Sequence, residues 1–292
     1  MIDAARRLAT ELETTPYAAR LGLRAGDILA DAVSASLPYA ATLANAQGFV
    51  HGGAAASLSM WVAMLAAVAS DREGAVFAAP VSFSVGYLAA AREEDLHANG
   101  RIASRGRDLA HVEIEVSSDR GRPVAAAQAV FRTRAARLRP GGPPRAPQAE
   151  AEGSARQMMS PFSRAMGMHL RSHEQGVATM AMPSQPNEGV GGAVDPAALV
   201  SLADTCAALA CMPSLDERRG GSATLSLSAV FGGEVTGSVV AMGRPVAEDA
   251  GVRSALVEVR GEADPSATAR SPRHAALTAC VSYRFRAAEA AR

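Results

Sequence analysis

A chain of 292 residues that is 48% hydrophobic, with 29 basic against 29 acidic side chains, is long enough for two domains and a sizeable buried core. Zero formal charge excludes a broad electrostatic surface for nucleic acid, and an aromatic content of 4% leaves no stacking platform for bases. Every one of the 29 basic residues is an arginine, which excludes lysine Schiff-base chemistry and a Walker-type phosphate loop.

The opening stretch MIDAARRLATELETT lacks the apolar segment of a signal peptide and reads as a short amphipathic helix. The run from Ala54 to Ser70 is the nearest approach to a membrane span. It is slightly short, alanine-rich and interrupted by serines, so it reads as a core helix. Its entry, His51-Gly52-Gly53, is unusual. Glycine costs about 0.5–1 kcal/mol relative to alanine inside a helix, and two together imply that something approaches the backbone there. PVSFSVGYL from Pro80 follows as an alternating strand. RIASRGRDLA then places Arg101, Arg105 and Arg107 at a strand junction, and SSDRGRP turns between the last two strands of this half.

RLRPGGPPRAPQAEAEGSARQ, Arg137 to Gln157, is too rich in proline, glycine and alanine to pack a core and marks a boundary. The reading is an N-terminal domain over 1–137, a linker over 138–157 and a C-terminal domain over 158–292. Across that linker the chain repeats itself. TPYAARLGLRAGD from Thr15 answers SPFSRAMGMHLRS from Ser160. The glycine-led helix answers DPAALVSLADTCAALACMPS, and PVSFSVGYL answers TLSLSAVFG from Thr224. Each half predicts a leading helix, a strand, one long buried helix and then several alternating strands. That is an α+β domain, and two in tandem predict a pseudo-symmetric pair like a homodimer fused into one chain. Cys206, Cys211 and Cys280 have no metal-ligand spacing and read as small buried residues. Their odd number suits a reducing compartment, and the expected location is the cytoplasm.

Together these features resemble the tandem hotdog-fold acyl-CoA thioesterases of the phenylacetate-degradation type. In NAQGFVHGGAAASLSM, Asn45, Gly48, His51, Gly52 and Gly53 match the family's helix entry, while its acidic position is Met60. In DPAALVSLADT, Asp204 matches the acidic position, while Asp195, Pro196 and Ala197 replace His-Gly-Gly. The resemblance implies two hotdog domains, each an antiparallel sheet wrapped around one long central helix. It also implies a site between antiparallel central helices, one giving glycine amides and the other the acid. Nine helical residues span roughly 13 Å, so one helix cannot present both ends to the same carbonyl. Gly52 would therefore face Asp204 in one complete composite site, and the reciprocal site would lack both the acid and the glycines.

On that resemblance, Gly52 lets the thioester carbonyl reach helix-end amides, an oxyanion hole in the making. Asp204 is the nucleophile or the general base. Asn45 orients thioester or water, Thr224 positions the water, and His51 holds the helix end in place. The second half has Thr224 where the first has Pro80, a further loss on the reciprocal side. Gly53 joins the substrate-binding surface, and Arg101, Arg105 and Arg107 suit coenzyme A phosphates through an arginine fork. The blander readings are local. Asp195 before Pro196 is an N-cap, Glu188 is a turn residue, and the arginine cluster is a solvated strand end.

The implied activity is thioester hydrolysis of acyl- or aryl-CoA, with coenzyme A as part of the substrate and no metal or redox cofactor. A non-catalytic acyl-CoA binder is the second reading. A hotdog hydratase would need a differently spaced acid and histidine, and no G-x-S-x-G elbow indicates a serine hydrolase. Neither nucleic acid nor membrane is expected as a partner, and chains of this kind are expected to form homo-oligomers.

Overall fold

A computed structural model describes residues 2–71, 75, 77–134, 159–212, 222–262 and 275–285. The 138–157 linker lies outside the described residues.

Helix α1 (Ile2–Glu13) leads into α2 (Pro16–Leu21), which Thr15 caps and Gly22, at φ 76°, closes. α4 (Pro161–Ala165) repeats this start in the second half, with Ser160 as cap and proline again in the first turn. Two strands, not one, precede each central helix: β1 (Arg24–Ile28) and β2 (Ala32–Leu37) in the first half, β7 (His169–Glu174) and β8 (Val177–Met182) in the second. The central helices are α3 (Gly52–Ala69) and α5 (Pro196–Ala210). β3 (Phe77–Tyr87), β4 (Leu96–Arg105), β5 (Leu109–Ser118) and β6 (Pro123–Arg134) follow α3. β9 (Ser222–Phe231), β10 (Val239–Asp249), β11 (Val252–Gly261) and β12 (Leu277–Phe285) follow α5.

All twelve strands form one antiparallel sheet in the order β1-β2-β4-β5-β6-β3-β9-β12-β11-β10-β8-β7. Read inward from either edge, the two halves have the same order. They meet where β3 pairs with β9, and Ser84 lies opposite Ser228, 144 residues on. The same offset separates Ser57 and Ser201, whose hydroxyls approach to 3.4 Å between α3 and α5. A pseudo-two-fold axis therefore passes through both serine pairs. α3 packs across β2 to β6, α5 across β8 to β12, and the two helices pack on each other. A sheet wrapped on one apolar helix, twice over, is the double hotdog arrangement.

α3 is apolar on every face, as a helix enclosed on all sides must be. It is long and apolar enough to cross a membrane, yet 94% of it is buried inside the protein. Gly53 shows how closely the helices approach: a Cβ there would stand 2.8 Å from Ser201 Oγ and 3.1 Å from Phe162. Cys206 and Cys211 are buried as expected, whereas Cys280 is exposed because alternation along β12 turns it away from the core.

Candidate active site

Five elements build the centre of the site: α3, β3, α5, β9 and β12. His51 is the N-cap of α3. Its Nδ1 accepts from Gly53 N–H at 3.0 Å and its carbonyl accepts from Ala54 N–H at 2.9 Å. Its ring stacks on Phe162 with centroids 4.5 Å apart. Burial lowers the His51 pKa against the opposing pull of Asp204, so the ring is neutral, with its proton on Nε2. Nδ1 stands 3.7 Å from Asp204 Oδ2. Since Nδ1 is already an acceptor, this is an approach of two acceptors and not an ion pair.

The cap leaves one first-turn amide over. Gly52 N–H has no acceptor among the described residues, and it sits at the positive end of an 18-residue helix. Tyr87 Oη donates to the Gly52 carbonyl at 3.0 Å and so holds the peptide between Gly52 and Gly53, one unit along from the free amide.

Asp204, on α5, is 2% exposed. Its Oδ1 accepts from Thr224 Oγ1 at 2.9 Å and from Tyr283 Oη, which also lies against the Asp204 carbonyl and shares its single proton between them. Burial, reinforced by the Asp204 carboxylate, pushes the Tyr87 and Tyr283 phenols well above the usual tyrosine range, so both remain donors. Oδ2 faces the end of α3: a Cβ on Gly52 would come within 3.2 Å of it.

These groups open onto a cavity of about 620 Å³. Asn45, Gly52 and Tyr87 reach it from the first half; Asp204, Thr224 and Tyr283 reach it from the second. Asn45 Oδ1 is committed to its own turn, accepting from Gln47 N–H at 2.9 Å and Phe49 N–H at 3.0 Å. Only its Nδ2 is left to face the cavity.

Four residues expected at substrate lie elsewhere in role or place. Gly53 donates to His51 and exists for helix contact, which removes it from the substrate surface. Arg105 lies at the far end of α3. It donates to Ala67 O at 3.4 Å and Thr133 Oγ1 at 2.8 Å, and it pairs with the buried Asp71. Arg253, the counterpart in the second half, likewise donates to Cys211 O at 3.0 Å at the end of α5. An arginine at this turn closes a central helix by satisfying its last carbonyls. Arg101 pairs with Glu113 across neighbouring strands, and Arg107 is exposed on the β4–β5 turn. Ala67 is fifteen residues from Gly52 along α3, roughly 22 Å at helical rise. None of these arginines lines the cavity.

The cations near the cavity are different ones. Arg284 lines it, and Arg92 lies over the Phe49 ring at 4.7 Å and donates to Gln47 O at 3.0 Å. The sequence reading missed these, together with Tyr87 and Tyr283. One signal was available: the chain has only four tyrosines, and both of these stand at inward-alternating ends of strands.

Pairing in the sheet defines the reciprocal position residue by residue. Pro80 pairs with Phe131 as Thr224 pairs with Tyr283, and Phe231 takes the place of Tyr87. Met60 takes the place of Asp204. Every acid or hydroxyl at one end thus has an apolar counterpart at the other. No group of three or more potential metal ligands occurs among the described residues.

Residues 41–132 match the family model described as the acyl-CoA thioesterase N-terminal domain. A hot dog fold protein from Alicyclobacillus acidocaldarius superposes with a TM-score of 0.61, covering 87% of this chain and 94% of that one at 17% identity. The chain has a double hotdog fold. The tesB protein of Mycobacterium avium subs paratuberculosis is similar to this double hotdog at 14% identity, with a TM-score of 0.58, covering 89% and 95% of the two chains. A protein from Thermobifida fusca assigned as a thioesterase II gives 13% identity and a TM-score of 0.58, covering 89% and 93%. At such identities the likeness of this double hotdog to solved structures is one of fold. No curated protein matches its sequence.

Proposed function

We propose that the chain hydrolyses acyl-CoA thioesters at a single site shared by its two halves. The observation that carries this reading is the convergence, on one cavity, of an amide, Gly52 N–H, with a carboxylate oxygen, Asp204 Oδ2, neither of which has a hydrogen-bond partner among the described residues.

The thioester oxygen accepts from Gly52 N–H, where the dipole of α3 favours the negative charge that develops on it. Thr224 and Tyr283 hold Oδ1, so Oδ2 is the reacting oxygen. Acting as base, it takes a proton from a water whose oxygen attacks the carbonyl carbon. The C–S bond then breaks, the thiolate collects a proton and the acid departs. Acting as nucleophile, Oδ2 attacks the carbonyl carbon and expels the thiolate, which collects a proton, and water then opens the mixed anhydride at Asp204 Cγ to release the acid. Single turnover in 18O-water separates the courses, since only the second scrambles label into Asp204.

Asn45 Nδ2 orients the thioester or the water, and His51 fixes the end of α3. Arg284 and Arg92 take the phosphate-binding role first assigned to Arg101, Arg105 and Arg107. Coenzyme A enters as part of the substrate without a further cofactor. The domain limits stay as 1–137 and 158–292, and homo-oligomers of this chain acting in the cytoplasm complete the reading.

Free-thiol release from short, medium, long and aromatic acyl-CoAs tests it. Turnover of at least one member is expected. Binding without turnover of any member contradicts it and favours an acyl-CoA binder.

A further inference from the structure

The reciprocal position is not filled in. A second cavity of about 510 Å³ lies there, walled by Leu12, Met64, Phe77, Val190, Leu199 and Phe231. That volume falls within the ~300–1,000 Å³ of small-molecule sites. It has lost the means for acyl transfer. Met60, Pro80, Phe131 and Phe231 stand where the other end has Asp204, Thr224, Tyr283 and Tyr87. Pro196 has no N–H to match Gly52, and Ala197 N–H is taken by Asp195 Oδ1 at 2.8 Å.

One polar group opens onto this apolar space. Asp195 is 7% exposed and lines the cavity, and its Oδ2 has no hydrogen-bond donor among the described residues. Gly189, also in the wall, keeps that oxygen accessible: a Cβ there would stand 2.9 Å from it. A buried carboxylate oxygen without a donor is costly. Burial accordingly raises the Asp195 pKa to about 6, which still leaves the group charged at neutral pH. Of the other charged lining residues, Arg132 lies 3.6 Å from Asp108 and, like Glu234, is exposed.

We propose that this cavity is a second, non-hydrolytic binding site for an aliphatic primary amine, its ammonium group on Asp195 Oδ2 and its chain against Leu199 and Phe231. The ammonium supplies the missing donor and a compensating charge, and the chain buries apolar surface. A fatty carboxylate would meet Asp195 as a like charge. A thioester carbonyl would find no free amide. The site is thus selective against the acid product and the substrate of the reaction proposed above, and its existence does not depend on that reaction.

Calorimetry on the whole chain near pH 7.5 with n-octylamine and octanoate tests this, using wild type, Asp195→Ser and Asp204→Asn. Serine keeps the N-cap and removes Oδ2. The expected result is octylamine binding to wild type with at least tenfold preference over octanoate, weakened at least tenfold by Asp195→Ser and unchanged by Asp204→Asn. A melting curve confirms that each variant is folded. Should Asp195→Ser fail to fold, Asp195→Asn keeps the cap and turns an N–H donor into the cavity, so the preference for amine over carboxylate must reverse. Absence of octylamine binding, or loss of it in Asp204→Asn but not at residue 195, overturns the proposal.

Discussion

Gly52 and Asp204 stand so close across the helix interface that a single methyl group on the glycine would lie 3.2 Å from the carboxylate Oδ2 and 3.2 Å from the Tyr87 ring. The space between them is where the proposed reaction places the thioester carbonyl. Gly52→Ala fills it without disturbing the His51 cap. A loss on the order of 10²-fold in kcat is expected, comparable to losing one oxyanion donor, with the melting temperature little changed. Steady-state thiol-release kinetics beside a melt measure both.

Tyr283 and Thr224 share Asp204 Oδ1, so removing either leaves the other in place. A hydrogen bond to a charged group contributes about 1.5–3 kcal/mol. Tyr283→Phe and Thr224→Val are each expected to lower kcat roughly 10- to 100-fold with KM nearly unchanged. Because the two act on one oxygen, the double variant should lose less than the product of the single effects. Strictly multiplicative losses would contradict the shared arrangement.

Arg105 and Arg284 separate stability from binding. Arg105→Ala takes one partner from the buried Asp71, which still accepts from Ala75 N–H, and should cost about 1–3 kcal/mol of stability, leaving kcat/KM close to wild type in the folded fraction. Arg284→Ala should raise KM for CoA esters several-fold and leave the urea midpoint unmoved. The reverse pattern would return the phosphate-binding role to the first cluster.

Asp195 carries a pH signature. Its folded pKa, about 6, lies above the ordinary 3.8 because the carboxylate is buried. Between those values the native state holds a proton that the unfolded state has released, so this group costs stability as pH rises from about 4 to 6. Above that window the cost is complete, on the order of 3 kcal/mol. Asp195→Asn retains the cap without the charge. It should exceed wild type in stability near pH 8, by up to that amount, and match it near pH 3.5. Urea denaturation at the two pH values measures this, and an equal gain at both would contradict the account.

The repeat and the two buried central helices were legible in the sequence because both rest on local pattern, whereas the facing of Gly52 and Asp204 came only from the family resemblance. Glycine before an alanine run and one acid within an apolar helix need no tertiary information to be noticed. The β1–β2 and β7–β8 hairpins were merged into single strands, since RAGDI and HLRSHE show little alternation in burial and sit at sheet edges. Tyr283 was missed because it comes from the last strand, and only the pairing β9–β12 brings it to Asp204. Arg105 was misassigned for a related reason. A strand-end arginine looks free in sequence, and its partners, Asp71 and the end of α3, are fixed by how the helix lies across the sheet. Gly53 was counted as a ligand contact when its missing side chain serves Ser201 and Phe162.

The most direct test of the single composite site compares acyl-CoA thiol release by wild type, Asp204→Asn and Met60→Ala. Asp204→Asn should lose roughly 10²–10⁴-fold in kcat, the range expected for a general base, and Met60→Ala should stay within a few-fold of wild type once folded. Turnover that survives Asp204→Asn, or that falls equally in both variants, would contradict a site built from the α3 end and Asp204 alone.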